Sequence, residues 1–252
     1  MTGSVIITMA GLSSRFTDAG FQAPKFMLDV RGRPIFDWAL QSLRGFIDRG
    51  WGFTFVTRED EAVIQFVKSR SQKLGIALDA LVSLRETTRG QAESAIIGAR
   101  AASSSDSMPL VIFNVDTFVR PESVNSWEVQ ENDGWIPCFP GQGSSWSFVS
   151  IDGTGRARDV AEKRRISKWA SVGLYGFRSK ELFVNTYSRY MATGYNENQE
   201  LFVAPLYNVL LAKSHQVLVP KLTRNDVVAL GTPSDVRLVD KDFSPPGRVH
   251  FA

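Results

Sequence analysis

The sequence predicts an α/β fold, a mainly parallel sheet covered on both faces by helices and carrying a small antiparallel insertion. Three observations lead there. Short apolar, β-branched runs alternate with helix-length amphipathic segments as far as residue 114. The first and fourth of these runs lead into Gly11 and Asp116, and glycines close the first two of the intervening helices. After Gly134 the texture changes to short strands with glycine turns. Helix-length crossovers are right-handed and make neighbouring strands parallel, a single Rossmann-like layer.

The elements follow in order. Residues 4–9 (SVIITM) form a buried strand. Pro34 can start a helix, and Ile35, Trp38, Ala39, Leu43, Phe46 and Ile47 recur at helical spacing until Gly50. Residues 53–57 are the next strand, and residues 59–74 a helix closed by Gly75. Residues 80–84 read as a strand, 91–102 as an Ala-rich helix, and 109–114 (PLVIFN) as a further buried strand. Short strands over 135–138, 146–151, 156–161 and 169–177, with a turn at 152–155, make the antiparallel insertion. Helices over 180–191 and 200–213 and strands near 216–219 and 227–230 complete the pattern; Pro245 and Pro246 mark an irregular tail. No repeat, low-complexity stretch or linker interrupts it. The organisation expected is one domain over residues 1–240 and a tail over 241–252, a length that can bury a substantial core.

Composition narrows the function. Hydrophobic residues at 43% and charged residues at 22% are the balance of a folded globular protein. A net charge of +3 suits an anionic small molecule and falls short of a nucleic-acid surface. The lone Cys138 excludes an intrachain disulfide and a cysteine-based metal cluster. With only His215 and His250, beside a strand and in the tail, a histidine triad or multi-histidine zinc site is not expected. No secretion signal and no membrane span is legible, so the expected compartment is the cytoplasm.

Ligands of open parallel sheets bind beyond the carboxyl ends of the strands. Here those ends carry residues 11–15 and 114–116. In the segment MAGLSSRFTDAGFQAPK, Gly11, Ser13 and Ser14 can aim backbone N–H groups and hydroxyls at an anion, or simply turn the chain. Arg15 adds a planar fork suited to phosphate, and Lys25 a compact point charge. A dinucleotide fingerprint is excluded because the loop lacks GxGxxG, and a Walker loop because no GK precedes Ser or Thr. A carboxylate such as Asp116 at the end of a buried strand needs a partner, and a hard cation supplies one. The plain alternative is a cap for a following helix.

The segment resembles the signature of sugar-nucleotide pyrophosphorylases and related nucleotidyltransferases: strand, AG, a short Gly/Ser loop, Arg, then PK about ten residues on. The resemblance continues through DVRGRP (29–34), Gly90-Gln91-Ala92, Asn114 to Asp116, Glu162-Lys163, GLYGF (173–177), ELFVAPLYN (200–208) and Gly231-Thr232-Pro233. It spans residues 4 to 240, and its order and spacing are more specific than any one motif.

The resemblance implies transfer of a nucleoside monophosphate from a nucleoside triphosphate to a small phosphorylated acceptor, with Mg²⁺ and release of pyrophosphate. Ala10, Gly11, Leu12, Ser13 and Ser14 would contact the nucleotide, Arg15 its β- and γ-phosphates, and Lys25 the α-phosphate. Gly90 and Gln91 would line the base pocket; Gln91 also reads simply as the first residue of a helix. Asp116 would bind Mg²⁺. Glu162, Lys163 and Gly173 would serve the acceptor, with a solvated strand end (EKRR) and a strand bulge as the plain alternatives. The antiparallel insertion would thus be the acceptor-binding part.

Three departures stand out. Many relatives have a second glycine where Ser13 stands. Ala229 occupies the place of a frequent second metal-binding aspartate, leaving Asp226 or Glu200 as substitutes. The GTP–Ser234–Asp235 ending is similar to a shorter subgroup associated with capsule and surface-polymer synthesis. Some of its members transfer cytidylyl groups to acceptors that are not sugars. A sugar 1-phosphate acceptor and a pyrimidine nucleotide are expected first. A cytidylyltransferase acting on a phosphorylated alcohol or amino compound stays open, as does a non-catalytic nucleotide-binding paralogue. A nucleotide-sugar glycosyltransferase is less consistent, because Thr117-Phe118 follows Asp116 where an Asp-x-Asp pair is usual. No nucleic-acid or membrane partner is expected, and the sequence is compatible with a homo-oligomer.

Overall fold

A computed structural model describes residues 2–193 and 200–245. At its centre lies a seven-stranded sheet. Its strand order is Val217–Leu218, Gly134–Trp135, Leu174–Phe177, Leu110–Asn114, Ser4–Thr8, Gly52–Arg58 and Ala77–Leu84. Only Leu174–Phe177 runs antiparallel to its neighbours; the other pairings are parallel. The expected α/β layer is therefore present, and the rest of the antiparallel insertion forms a separate four-stranded sheet. That sheet runs Ala157–Glu162, Ser147–Ile151, Trp169–Ser171, Cys138–Pro140.

Alternation along the central strands explains their continuous hydrophobicity. Val5 and Ile7 join one core with Val111 and Phe113, while Ile6 joins another with Leu110 and Ile112. Both faces are buried, so an unbroken apolar run is required. A third, smaller core holds Phe16, Phe21, Leu28, Ile35 and Leu230 beneath the signature loop. Phe243 stacks on Phe21 at 4.7 Å there, which ties the start of the expected tail to the body. Of the helices described, none is long and apolar enough to cross a membrane.

Several sequence expectations are corrected. The helix expected over 34–47 is two, Ile35–Gln41 and Arg44–Ile47. Between them Ser42 Oγ accepts from Val119 N (2.8 Å), so a tertiary bond takes hold where the helix breaks. The strand expected over 135–138 changes sheet at Pro137, which has no N–H to give a ladder. The strand over 169–177 divides at Gly173 (φ 83°) into pieces belonging to different sheets. The helix over 200–213 shrinks to Leu206–Leu211. Leu201 is instead tied across to the Gln91–Ala101 helix: its N donates to Arg89 O (2.9 Å) and its O accepts from Ala92 N (2.8 Å). That carbonyl satisfies an amide which the helix N-terminus leaves without an intrahelical partner. Elements not anticipated include the helix Ser14–Asp18, the strand Thr117–Val119 and the helix Pro233–Val239, which lie around the cleft.

Candidate active site

A cleft lies at the carboxyl ends of Ser4–Thr8 and Leu110–Asn114, as the parallel topology requires. It has two adjoining lobes, an inner one of ≈ 630 Å³ and an outer one of ≈ 1060 Å³. Arg15, Lys25, Asp116, Lys163 and Glu200 line both lobes, so they stand at the seam. Ala10, Gly11, Leu12, Ser13, Gly90 and Gln91 line the inner lobe. Glu162 and Gly173 line it as well, whereas Ser14 lines the outer lobe.

The signature loop leaves the first strand and turns at Ser13, whose φ of 55° lies in the left-handed region. A glycine would adopt this backbone without strain, which gives the Gly-to-Ser departure a physical meaning. Ser13 Oγ accepts from Lys25 N at 3.2 Å, closing the loop on the segment that carries the lysine. Phe16, on the short helix Ser14–Asp18, is buried and anchors the exposed Arg15 beside the cleft.

Lys25 Nζ donates to Asp116 Oδ2 at 2.6 Å, with side chains 22% and 23% exposed. Burial pushes the Asp116 carboxyl upward. The lysine charge, with hydrogen bonds from Lys25, Asn114 and Thr117, outweighs it and holds the group below its ordinary range. Asp116 is thus an ionised oxygen donor facing the seam. It does not cap a helix, since the strand Thr117–Val119 follows it. Its backbone O accepts from Leu230 N (2.8 Å), tying it to the strand Val227–Ala229.

Gln91 is the first residue of its helix and also reaches into the site. Its Nε2 donates to Asn114 Oδ1 at 2.7 Å and, more weakly, to Thr8 Oγ1 at 3.4 Å. Two glycines make this packing feasible. A Cβ on Gly90 would stand 2.6 Å from the Leu201 backbone, and one on Gly173 would stand 2.7 Å from Asn114 Nδ2. Gly173 therefore makes room for the Asn114 amide.

On the opposite wall Glu162 ends the strand Ala157–Glu162. Its carboxylate accepts a hydrogen bond from Ser147 Oγ. Burial raises the Glu162 carboxyl above its ordinary range. Ser147 and the Lys163 charge pull it back only in part, and Glu200 adds to the rise. Lys163 leaves the strand with φ 50°. Its Nζ lies 3.4 Å from Glu200 Oε2 and 4.3 Å from the Phe202 ring centroid.

Of the two substitutes for the aspartate that Ala229 replaces, Glu200 lines the cleft at the seam. Asp226 does not line it: Asp226 Oδ2 accepts from Thr223 N and Oγ1 (2.8 and 2.6 Å), and Arg120 lies 3.3 Å from Oδ1. Asp226 stabilises a turn. His215 lies 3.2 Å from Asp133 at the far edge of the main sheet, and His250 lies outside the described residues. Sequence reasoning missed Ser147, Tyr175 and Phe202 in the inner lobe and Arg224, Asn225 and Asp235 in the outer. Tyr175, Phe202 and Asp235 lie in segments that carry the resemblance, but nothing local assigned them to the cleft, and Ser147, Arg224 and Asn225 carry no local signal at all.

No protein-family model matches this chain, and no curated protein matches it by sequence. Among solved structures it is similar to a nucleoside-diphosphate-sugar pyrophosphorylase from Vibrio cholerae RC9. Identity is 33%, covering 94% of this chain and 99% of that one, with a TM-score of 0.87. It also shares its fold with an inositol-1-phosphate CTP transferase from T. maritima (13% identity, 93% and 92% covered, TM-score 0.73). A UDP-glucose pyrophosphorylase from Acinetobacter baumanii is a further fold neighbour (13% identity, 95% and 92% covered, TM-score 0.69). With a third of its residues shared along nearly the full length of the Vibrio protein, the chain belongs to the nucleoside-diphosphate-sugar pyrophosphorylase family of nucleotidyltransferases.

Proposed function

We propose that this chain transfers a nucleoside monophosphate from a nucleoside triphosphate to a small phosphorylated acceptor, a sugar 1-phosphate first, and releases pyrophosphate. The carrying observation is the convergence of Arg15, Lys25, Asp116 and Lys163 on the seam of one cleft. Two anionic reactants must meet in line, and the main obstacle is their mutual repulsion. Three cations at the meeting point lower it by positioning and electrostatics.

In this reading the acceptor phosphate attacks the α-phosphorus and pyrophosphate leaves. The second pKa of a phosphate monoester is about 6, so the attacking oxygen is already anionic at neutral pH. No general base is required, in keeping with a cleft wall that carries no histidine among its lining residues. Ala10 to Ser14 hold the nucleotide, with Gly90 and Gln91 beside its base. Arg15 takes the departing β- and γ-phosphates, and Lys25 the charge that grows near the α-phosphate. Lys163 holds the acceptor phosphate and Glu162 accepts from its hydroxyl or amino groups.

Asp116 offers a hard, ionised oxygen at the seam and Glu200 a second carboxylate on the same cleft, which fits Mg²⁺; Asp226, held in its turn, does not. When bound there, Mg²⁺ supplies charge neutralisation to the phosphates. The substrates are metabolites of the cytoplasm, and the products suit polysaccharide or surface-polymer synthesis.

The test is a pyrophosphate-release screen. CTP, UTP, dTTP and GTP are each paired with sugar 1-phosphates and with phosphorylated alcohols and amino compounds. Release with at least one sugar 1-phosphate is expected, a pyrimidine nucleotide being preferred. Turnover confined to non-sugar acceptors would move the assignment to a cytidylyltransferase-type acceptor. Tight nucleotide binding without turnover over the whole panel would leave a regulatory paralogue.

A further inference from the structure

We infer that Ser147 and Tyr175 are positioning residues that fix the Glu162 carboxylate for the acceptor through a chain of two hydroxyls. The inference rests on the reading that Glu162 faces the acceptor and adds the residues that orient it.

The geometry is set by pairing. Ser147 and Glu162 are register partners across antiparallel strands of the four-stranded sheet, so their side chains leave the same face. Tyr175 comes from the seven-stranded sheet, on the strand that begins just past the Gly173 break. The site is thus stitched where the two sheets meet. Ser147 is 8% and Tyr175 4% exposed, yet both line the inner lobe with Glu162. Ser147 Oγ bonds the Glu162 carboxylate, and Tyr175 OH lies 3.1 Å from Ser147 Oγ.

Proton counting gives the chain a direction. An ionised carboxylate only accepts, so Ser147 spends its one proton on Glu162 Oε2. Ser147 Oγ can then only accept from the tyrosine, so Tyr175 donates. Tyr175 is suited to that role because burial raises its phenol far above neutral pH and keeps it protonated. One acceptor site of Glu162 Oε2 is thereby engaged, which restrains the carboxylate's orientation. Its remaining acceptor sites, those of Oε1 above all, are left for the acceptor, so the matching group is a hydroxyl or an ammonium. The charged groups acting on Glu162 are Lys163, which favours its ionised form, and Glu200, which opposes it.

The experiment measures acceptor KM, NTP KM, kcat and the pH profile of kcat/KM in Ser147→Ala, Ser147→Thr, Tyr175→Phe and the double variant Ser147→Ala/Tyr175→Phe. Ser147→Ala is expected to raise acceptor KM roughly tenfold, with NTP KM unchanged. It also moves the acidic limb of kcat/KM for the acceptor to higher pH, because Glu162 loses a bond that favours its charged form. Ser147→Thr keeps the hydroxyl and restores both. Tyr175→Phe has a smaller effect of the same kind, and adds nothing in the Ser147→Ala background. An unmoved acidic limb in Ser147→Ala, or a Tyr175→Phe effect that persists in full without the serine hydroxyl, overturns the inference. Should the unmodified enzyme release no pyrophosphate with any substrate pair, the functional reading fails instead. Carboxyl ¹³C titration of Glu162 then decides: a midpoint raised in Ser147→Ala supports the chain, and an unmoved one ends it.

Discussion

Asp116 and Glu162 face the same cleft and meet the same burial penalty, yet they end on opposite sides of the usual carboxylate range. Asp116 is held below it and Glu162 above it. The difference lies in what the fold puts beside each. Asp116 ends a parallel strand and meets a lysine at 2.6 Å, from a loop anchored by a buried aromatic core. Glu162 ends an antiparallel strand and is held by a neutral hydroxyl; its neighbouring lysine is about half exposed and shared with Glu200. The carboxylate on the central-sheet side is compensated by a cation in contact with it, and the one on the insertion side mainly by a neutral hydroxyl. Charge on the first side is fixed before any substrate arrives. On the second side it is adjustable, which suits a wall that must accommodate the acceptor.

This contrast ranks the consequences of mutation. Lys25→Ala removes the partner of Asp116 and a cation at the reaction centre. Turnover is expected to fall by about 10²- to 10³-fold or more, with Asp116→Ala comparable. Steady-state pyrophosphate release at saturating substrates checks this, with circular dichroism to confirm folding. Near-normal turnover in either variant would remove that residue from the mechanism. Lys163→Ala is expected to act mainly on acceptor KM, by about tenfold, since an exposed and screened cation contributes less. If Lys163→Ala instead matched Lys25→Ala in kcat, the asymmetry between the two walls would be wrong.

Gly90→Ala breaks the comparison from another direction. Its Cβ would enter the Leu201 backbone, and φ is 149°. The cross-tie from Leu201 to Arg89 and Ala92 holds Glu200 at the seam and Phe202 in the inner lobe, so both walls should suffer together. A destabilisation of about 1–3 kcal/mol in thermal or urea unfolding is expected, with both KM values raised. A rise confined to NTP KM would show that the tie serves the nucleotide side alone.

The same asymmetry governs what the sequence made legible. The central strands and the 61–74 and 91–101 helices announce themselves because burial on both faces forces long apolar runs and helical periods. The loop 10–15, Lys25 and Asp116 were legible because they sit at the ends of those runs. On the insertion side the readable unit is two to six residues long, and a strand changes sheet at Pro137 or Gly173 without any change in hydrophobicity. Ser147 becomes a neighbour of Glu162 only through strand pairing inside the four-stranded sheet, and Tyr175 joins them only where that sheet meets the seven-stranded one. Asp226 was misleading for a related reason. It stands three residues before Ala229 and does not match the missing aspartate by position, and Thr223 and Arg120 already claim its oxygens.

The smallest expected effect tests how rigid the nucleotide side is. Ser13 and Lys163 are both non-glycine residues in left-handed backbone, one on each wall, with φ of 55° and 50°. At Ser13 two opposing terms can be separated. Left-handed backbone costs a non-glycine residue about 1–2 kcal/mol, and the bond from Lys25 N to Ser13 Oγ returns about 0.5–1.5 kcal/mol. Ser13→Ala loses the bond and keeps the strain, so stability should drop by about 1 kcal/mol. Ser13→Gly loses the bond and the strain but loosens the unfolded chain by about 0.5–1 kcal/mol, so its stability should stay within about 0.5 kcal/mol of the parent. Urea unfolding of the pair measures the difference. If Ser13→Gly is less stable than Ser13→Ala by the full unfolded-chain cost of about 0.5–1 kcal/mol, the backbone at residue 13 is not strained and the loop is held by the serine hydroxyl alone. If Ser13→Gly is as stable as the parent yet binds NTP more weakly, the hydroxyl orients the segment that carries Lys25. The preformed charge of this wall then depends on a single hydrogen bond across the loop.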